Sequence, residues 1–253
     1  KREIAHELQC NFNMSGETVF DSHDLEKFHN MSKDPKYRTG FDRNLWIWEE
    51  ATNQQKYLVS ADVARGDGKD YSVCHVFRID NMEIVAEYQG KCTPDVFSRV
   101  LFDVSREYNN ALLVVENNSV GYAVLDKLKE MQYPNLYHSV KSTHEYVEEY
   151  RAEQMSNAIP GFSMTSKTRP LIIAKLEEFI RNNLIKIYSQ RLLSEMKTFV
   201  WKNGRAEAMR SYNDDLIMSC AVACWVRDTA LSAFDRDSQY AKAFIGSITK
   251  GTS

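Results

Sequence analysis

One stretch constrains this chain more than any other: Tyr57-Leu-Val-Ser-Ala-Asp-Val63, a turn carrying Gly66 and Gly68, then Tyr71-Ser-Val-Cys-His-Val-Phe-Arg78. The first run is short, apolar and rich in β-formers, the glycines supply a tight turn, and the second run alternates with period two. Together they read as a β-hairpin. Asp62 lies inside the first strand. A carboxylate among apolar neighbours is costly to bury unless it is paired or coordinates a metal. The competing reading makes Asp62 a cap at a fraying strand end.

The rest of the chain is an alternation of strands and helices. Glu83-Ile-Val-Ala-Glu-Tyr88 is a third alternating strand. Thr93-Pro94 starts a helix to Tyr108 with Phe97, Val100, Leu101 and Val104 on one face. Ala111-Leu-Leu-Val-Val115 is continuously apolar, as in a strand buried on both sides, and runs directly into Glu116. Asn117-Asn-Ser119 is turn and cap material before a helix from Val120 to Met131. Leu136 to His138 reads as a short strand, and 141–157 as a polar exposed hairpin or loop. The pattern then predicts a helix over Thr168–Asn182 with Leu171, Ala174, Leu176 and Phe179 inward, a strand Leu184–Tyr188 and a helix Gln190–Phe199. An Asn203-Gly204 hairpin turn follows, and last a helix from Asp214 to about Leu231 whose Leu216, Cys220, Ala223 and Cys224 stripe faces the core.

Residues 1–54 differ in texture, with Asn, Ser, Gly, His and charge ahead of Leu45-Trp-Ile-Trp48. They read as a lead-in in which Ser22 caps a short helix and Trp46 and Trp48 pack onto the main domain, or alternatively form an interdomain surface. The main α/β domain then spans 55–232, and 233–253 is a C-terminal tail. At 253 residues, 26% charged and 43% hydrophobic, the chain can bury a sizeable core, and no apolar run approaches the roughly 20 residues of a membrane span. The N-terminus lacks a signal-peptide pattern, which points to the cytoplasm, and lacks a starting Met, which points to a piece of a longer protein. Cys10, Cys74, Cys92, Cys220 and Cys224 are odd in number and without a C-x-x-C pair, so they read as reduced thiols. A net charge of −3 argues against overall attraction to nucleic acid but leaves room for a local basic patch.

Three acidic positions share one feature, that each lies where a buried element meets a turn. Asp62 is on the first strand, Glu116 ends the apolar strand, and Asp214-Asp215 opens the last helix. Strand ends and helix starts are where ligand sites gather in open α/β sheets. For Asp214 and Asp215 the simpler role is helix capping. Taken together, the acids form an oxygen-only set suited to Mg²⁺ or Mn²⁺ rather than zinc. Two such ions about 3.5–4 Å apart activate a water and steady the leaving oxygen of a phosphodiester, with Asp62 best placed to bridge them. His75 and His138 sit in strand-like runs and read as structural.

The order β-β-β-α-β-α, with acids on strands one and four and on a C-terminal helix, resembles the ribonuclease-H-like fold, a mixed sheet of three antiparallel strands followed by parallel ones and flanked by helices. The motifs Ser-Ala-Asp62-Val-Ala-Arg-Gly-Asp-Gly-Lys-Asp-Tyr, Leu-Leu-Val-Val-Glu116-Asn-Asn-Ser-Val-Gly and Tyr-Asn-Asp214-Asp215-Leu-Ile-Met-Ser resemble the nuclease domain of the large terminase subunit of T-even-like tailed bacteriophages. The similarity covers roughly 55–230, and Phe20 to Phe28 looks like the segment joining the family's ATPase to its nuclease.

The resemblance implies a Mg²⁺-dependent endonuclease that cuts concatemeric double-stranded DNA at the start and end of packaging. Its partners would be an ATPase domain of the same full-length chain, a portal protein and a small terminase subunit, and its place the cytoplasm of an infected bacterium, at the prohead portal. Carried over by position, Asp62, Glu116 and Asp215 are the catalytic acids and, with Asp214, the ligands of two ions during catalysis. Related resolvases carry a further acid three residues after the helix-start Asp; here that place is Met218, with Asp214 as the substitute. No G-x-x-x-x-G-K-[ST] is present, so a motor half would lie elsewhere. Lys141, Arg151, Lys167, Arg169 and Lys175 are the candidate DNA contacts, sequence-independent phosphate binders set against the plainer reading of a solvated charged face. The rival functions are a junction resolvase or integrase using the same acids, a DNA-binding module of the same fold that does not cut, and an actin-like ATPase, which lacks its second phosphate loop here.

Overall fold

The computed structural model describes residues 17–140 and 158–227. Its centre is the hairpin of β3 (Tyr57–Asp62) and β4 (Ser72–Arg78), extended by β5 (Glu83–Gly90). The lead-in adds two strands at one edge, β1 (Tyr37–Thr39) and β2 (Leu45–Ile47), and β6 (Leu112–Val115) lies at the other. The sheet order is β1-β2-β5-β4-β3-β6, antiparallel throughout except for the parallel pair β3 and β6. Segments around Leu136 and Phe162 continue the parallel side as single backbone bridges to Leu113 and Glu116. The strands β7 (His138–Val140) and β8 (Ala158–Pro160) pair with each other beside it.

Period-two alternation sorts the sheet into two apolar layers. Tyr57, Val59, Ala61, Leu113 and Val115 face α2 (Pro94–Glu107) and α3 (Gly121–Glu130) through Phe97, Leu101, Val124 and Leu125. Leu58, Leu112 and Val114 face the opposite layer. This layer holds α1 (Ser22–Met31), α4 (Thr168–Arg181), α5 (Gln190–Lys197) and a helix α6 over 215–227. Asp62 and Glu116 continue the Leu58 and Leu112 series and therefore point into the α6 side. The small hairpin β9 (Phe199–Lys202) and β10 (Arg205–Ala208) turns at Asn203 and Gly204, both at positive φ as an Asn-Gly turn requires.

Several expectations change. Asp62 is the last residue of its strand rather than an interior one. The sheet begins before residue 55: β2 pairs with β5, Trp48 is buried, and Phe20 stacks on Phe199 with ring centroids 6.0 Å apart. The described part of the lead-in and the residues after it thus share one sheet and one core. Asp21, not Ser22, caps α1, accepting His23 N–H at 2.8 Å. Leu184–Tyr188 touches the sheet at Lys186 alone, because β5 is already paired with β4 and β2; Ile185 and Ile187 are buried without a ladder. On α4 the buried stripe is Ile172, Ile173, Leu176, Phe179 and Ile180, whereas Leu171 and Ala174 are exposed. Two overlapping apolar stripes compete there, and the one with the larger side chains faces the core. The segment 141–157, with Lys141 and Arg151, lies outside the described residues.

Candidate active site

The parallel register sets Ser60 opposite Val114 and Ala61 opposite Val115, and Glu116 N–H donates to the Ala61 carbonyl at 3.1 Å. Asp62 and Glu116 are the next residues along each strand. With neighbouring strands about 4.8 Å apart, two side chains on one face at adjacent strand ends must meet, and the carboxyls of Asp62 and Glu116 do lie against each other. Burial, followed by the charges of Glu116 and Asp215, pushes Asp62 well above its ordinary value. Glu116 is also raised by burial, with Asp62, Arg169 and Asn118 pulling back down. Both carboxyls are thus held above their ordinary values, the expected response of two acids buried close together.

Two close approaches hold Glu116 in place. Asn118 closes the turn before α3, its Oδ1 accepting Val120 N–H at 3.1 Å and Gly121 N–H at 2.7 Å, and it lies beside the Glu116 carboxyl. Gly121 lies so tightly under the strand end that a Cβ there would come within 1.8 Å of the Glu116 carbonyl oxygen. On the other strand, Ser60 Oγ donates to the Ser219 carbonyl and Ser219 Oγ donates to the Ser60 carbonyl, each at 2.8 Å. This reciprocal pair pins α6 onto β3 two residues before Asp62 and four after Asp215.

Asp214 and Asp215 thereby reach the same corner. Asp215 Oδ2 accepts Tyr71 N–H at 2.9 Å and Asn213 Nδ2 at 3.0 Å, and burial raises its carboxyl while these bonds lower it. Asp214 Oδ2 is paired with Arg169 at 2.6 Å, and the same guanidinium reaches Met218 Sδ at 3.0 Å. Among the described residues, no three or more His, Cys, Asp or Glu already converge as a metal shell. The acids are instead held by protein donors and by one another. The donor set is nevertheless all-oxygen, and two buried carboxyls side by side, both raised by burial, mark a place that a cation's charge would stabilise. Asp62 and Glu116 fit that role directly, with Asp215 adjacent; Asp214 is engaged by Arg169.

Of the expected DNA contacts, Lys141 and Arg151 lie outside the described residues, and Lys167, Arg169 and Lys175 do not form one surface. Arg169 is an acid partner within the site. Lys167, at the N-cap position of α4, is exposed. Lys175 is bound by Glu178 at 3.1 Å and, six positions further on, lies about 120° around the helix from Arg169. A cleft of about 280 Å³ beside Arg169 is lined by Ile173, Trp201 and Arg205. His75 is structural as expected: its ring bridges Ser219 Oγ at 3.1 Å and Glu87 at 3.2 Å. Burial alone would raise Glu87, but His75 and then Arg191, bonded at 2.7 Å, hold it below the usual carboxylate range.

One residue of the site escaped sequence reasoning. Glu195 on α5 is 8% exposed, and its Oε2 accepts the N–H groups of Leu216 at 2.9 Å and Ile217 at 3.3 Å. Burial, then the charge of Asp215, pushes its carboxyl up to about 8. Its only signal in the sequence is a glutamate on the apolar side of a short helix.

The mixed sheet, with acids at the ends of its parallel pair and helices on both faces, is the ribonuclease-H-like fold. Among solved structures it is similar to the large terminase nuclease of thermophilic phage G20c with bound magnesium: TM-score 0.61, 19% identity, covering 83% of this chain and 97% of that one. The Thermus phage P74-26 large terminase nuclease domain aligns at TM-score 0.58 and 19% identity, over 82% of this chain and 94% of that one. The G20c nuclease with bound zinc aligns at TM-score 0.55 and 19% identity, over 81% and 96%. At this identity the likeness establishes the fold. No protein-family model matches the chain.

Proposed function

We propose that this chain is the nuclease part of a phage large terminase, a divalent-metal-dependent endonuclease that cuts double-stranded DNA during genome packaging. The observation that supports this reading most is the carboxyl pair of Asp62 and Glu116 at the ends of the parallel strands, with Asp215 on the same face. The similar nucleases bear magnesium or zinc in their own structures, which supports divalent-metal use; the all-oxygen set of acids favours the harder magnesium. The finer reading, a T-even-like terminase using Mg²⁺ or Mn²⁺ as two ions, rests on the three acidic motifs.

In this reading Asp62, Glu116 and Asp215 hold the metal. A divalent ion bound there would supply an activated water and neutralise the leaving oxygen. Asp62 and Glu116, raised by burial and by each other's proximity, would hold the ion in their ionised forms. Arg169 keeps Asp214 neutralised and lowers Glu116 toward its ionised form. Lys167, exposed next to Arg169, would contact a backbone phosphate, a contact without sequence preference. Residues 1–54 would lead in from an ATPase domain and add β1, β2 and α1 to the nuclease carried by 55–232, with 233–253 a tail. The partners are the portal protein and the small terminase subunit, in the cytoplasm of the infected cell.

The test is plasmid nicking with Mg²⁺, with Mn²⁺ and with EDTA. Wild type nicks with either metal and not in EDTA, and Asp62→Asn lowers the rate by at least about a thousandfold, the scale of losing a metal ligand, while thermal unfolding stays cooperative. Cleavage retained in the Asn variant defeats the reading.

A further inference from the structure

The first N–H groups of a helix have no partner within it, and an aspartate at the N-cap ordinarily accepts those of the second and third residues. In α6 the cap position is Asp214 and those N–H groups belong to Leu216 and Ile217. Asp214 bonds neither of them. Both go to Glu195 Oε2, at 2.9 and 3.3 Å, from a different helix. Gln89 Nε2 steadies the other Glu195 oxygen at 3.4 Å. The two aspartates are thereby left to point elsewhere, Asp214 to Arg169 at 2.6 Å and Asp215 to Tyr71 N–H at 2.9 Å.

We propose that Glu195 is a positioning residue that caps α6 from outside, and so holds Asp214 and Asp215 off their own helix and turned toward Asp62 and Glu116. This deepens the nuclease reading and rests on it for its consequence, though not for its geometry. Without Glu195 the free N–H groups draw Asp214 back to the ordinary cap, the Arg169 pair breaks, and the corner of the site nearest Glu116 rearranges. A glutamine in its place still offers one oxygen to both N–H groups.

Two measurements on the full chain decide it. The first is a double-mutant cycle by thermal unfolding in EDTA, using Glu195→Ala, Asp214→Ala and both together, which needs no metal and no catalysis. We expect Asp214→Ala to cost little in wild type and to lower the unfolding midpoint by several degrees more in the Glu195→Ala background, because there Asp214 has become the cap. Additive shifts overturn the proposal. Should Glu195→Ala fail to fold, Glu195→Asp, one methylene too short to reach, replaces it in the cycle. The second is Mn²⁺ affinity by titration calorimetry. We expect Glu195→Ala to weaken it about tenfold or more and Glu195→Gln to stay within about threefold of wild type. Equal binding by the Ala variant, or equal loss in Gln and Ala, overturns the positioning role. If wild type itself takes up no Mn²⁺, the nuclease reading falls while the unfolding cycle still decides the cap.

Discussion

Asp62, Glu116, Asp215 and Glu195 are all held above their ordinary values, in each case first by burial. A carboxyl with a raised folded value binds more protons folded than unfolded between the two values, so stability falls as pH rises through that window. For Glu195 the window runs from 4.5 to about 8. We expect the midpoint of unfolding in EDTA to drop across this range, one such group contributing up to about 1.4 kcal/mol per pH unit, and Glu195→Gln to flatten the profile. Asp62→Asn removes a charge the fold pushes against and should raise the midpoint near neutral pH by a few degrees, even as it removes cleavage. Thermal scans at several pH values check both; a flat wild-type profile or a less stable Asn variant contradicts them. At this scale the sequence marked Asp62, Glu116 and Asp215, because a carboxylate after an apolar run is conspicuous. Glu195 stayed hidden, since its meaning depends on two N–H groups 21 and 22 residues further along.

Elements carry these groups only where they approach closely. The α3 start lies against the β6 end because Gly121 has no side chain, so Gly121→Ala must push Glu116 or the helix aside. We expect a loss of about 2 kcal/mol or more, with cleavage falling further than stability explains. Ser219→Ala removes the hydroxyl that donates to the Ser60 carbonyl at 2.8 Å and bonds His75 at 3.1 Å. Leaving those buried groups unpaired costs about 1–3 kcal/mol, and both effects are read by denaturant titration beside a nicking assay. Most of these elements were legible from periodicity alone, including the hairpin, α2, β6 and α3. The side of α4 that faces inward was not, because Leu171 and Ala174 offer a stripe as regular as the buried one, and packing against the neighbouring helices chose between them.

For the molecule as a whole, the lead-in from Val19 to Trp48 contributes to the core. Phe20 and Phe28 are fully buried and Trp48 is 5% exposed, with its Nε1 bonded to the Lys33 carbonyl at 2.9 Å. Trp46 lies under the Arg191 guanidinium, 3.7 Å from the ring, and Arg191 in turn holds Glu87. Removing residues 1–54 would strip β1, β2 and α1, uncover the β5 edge and expose apolar surface of α5. We expect such a chain to aggregate or lose its cooperative transition, as seen by size exclusion and circular dichroism, whereas Phe28→Ala in the full chain costs about 3–5 kcal/mol. A truncated chain that folds and unfolds cooperatively would put the domain boundary back at residue 55. The sequence by itself determined that the runs of β3, β4, β5 and β6 are strands, that Asp62 and Glu116 each follow an apolar strand run and that an acid pair opens α6, since alternation and helix-start chemistry are local. Only the tertiary structure decided that Arg169 neutralises Asp214, that Glu195 caps α6 and that the lead-in joins the sheet. Each of these depends on which distant segments share a buried space, and burial is what turns an ordinary side chain into an obligatory partner.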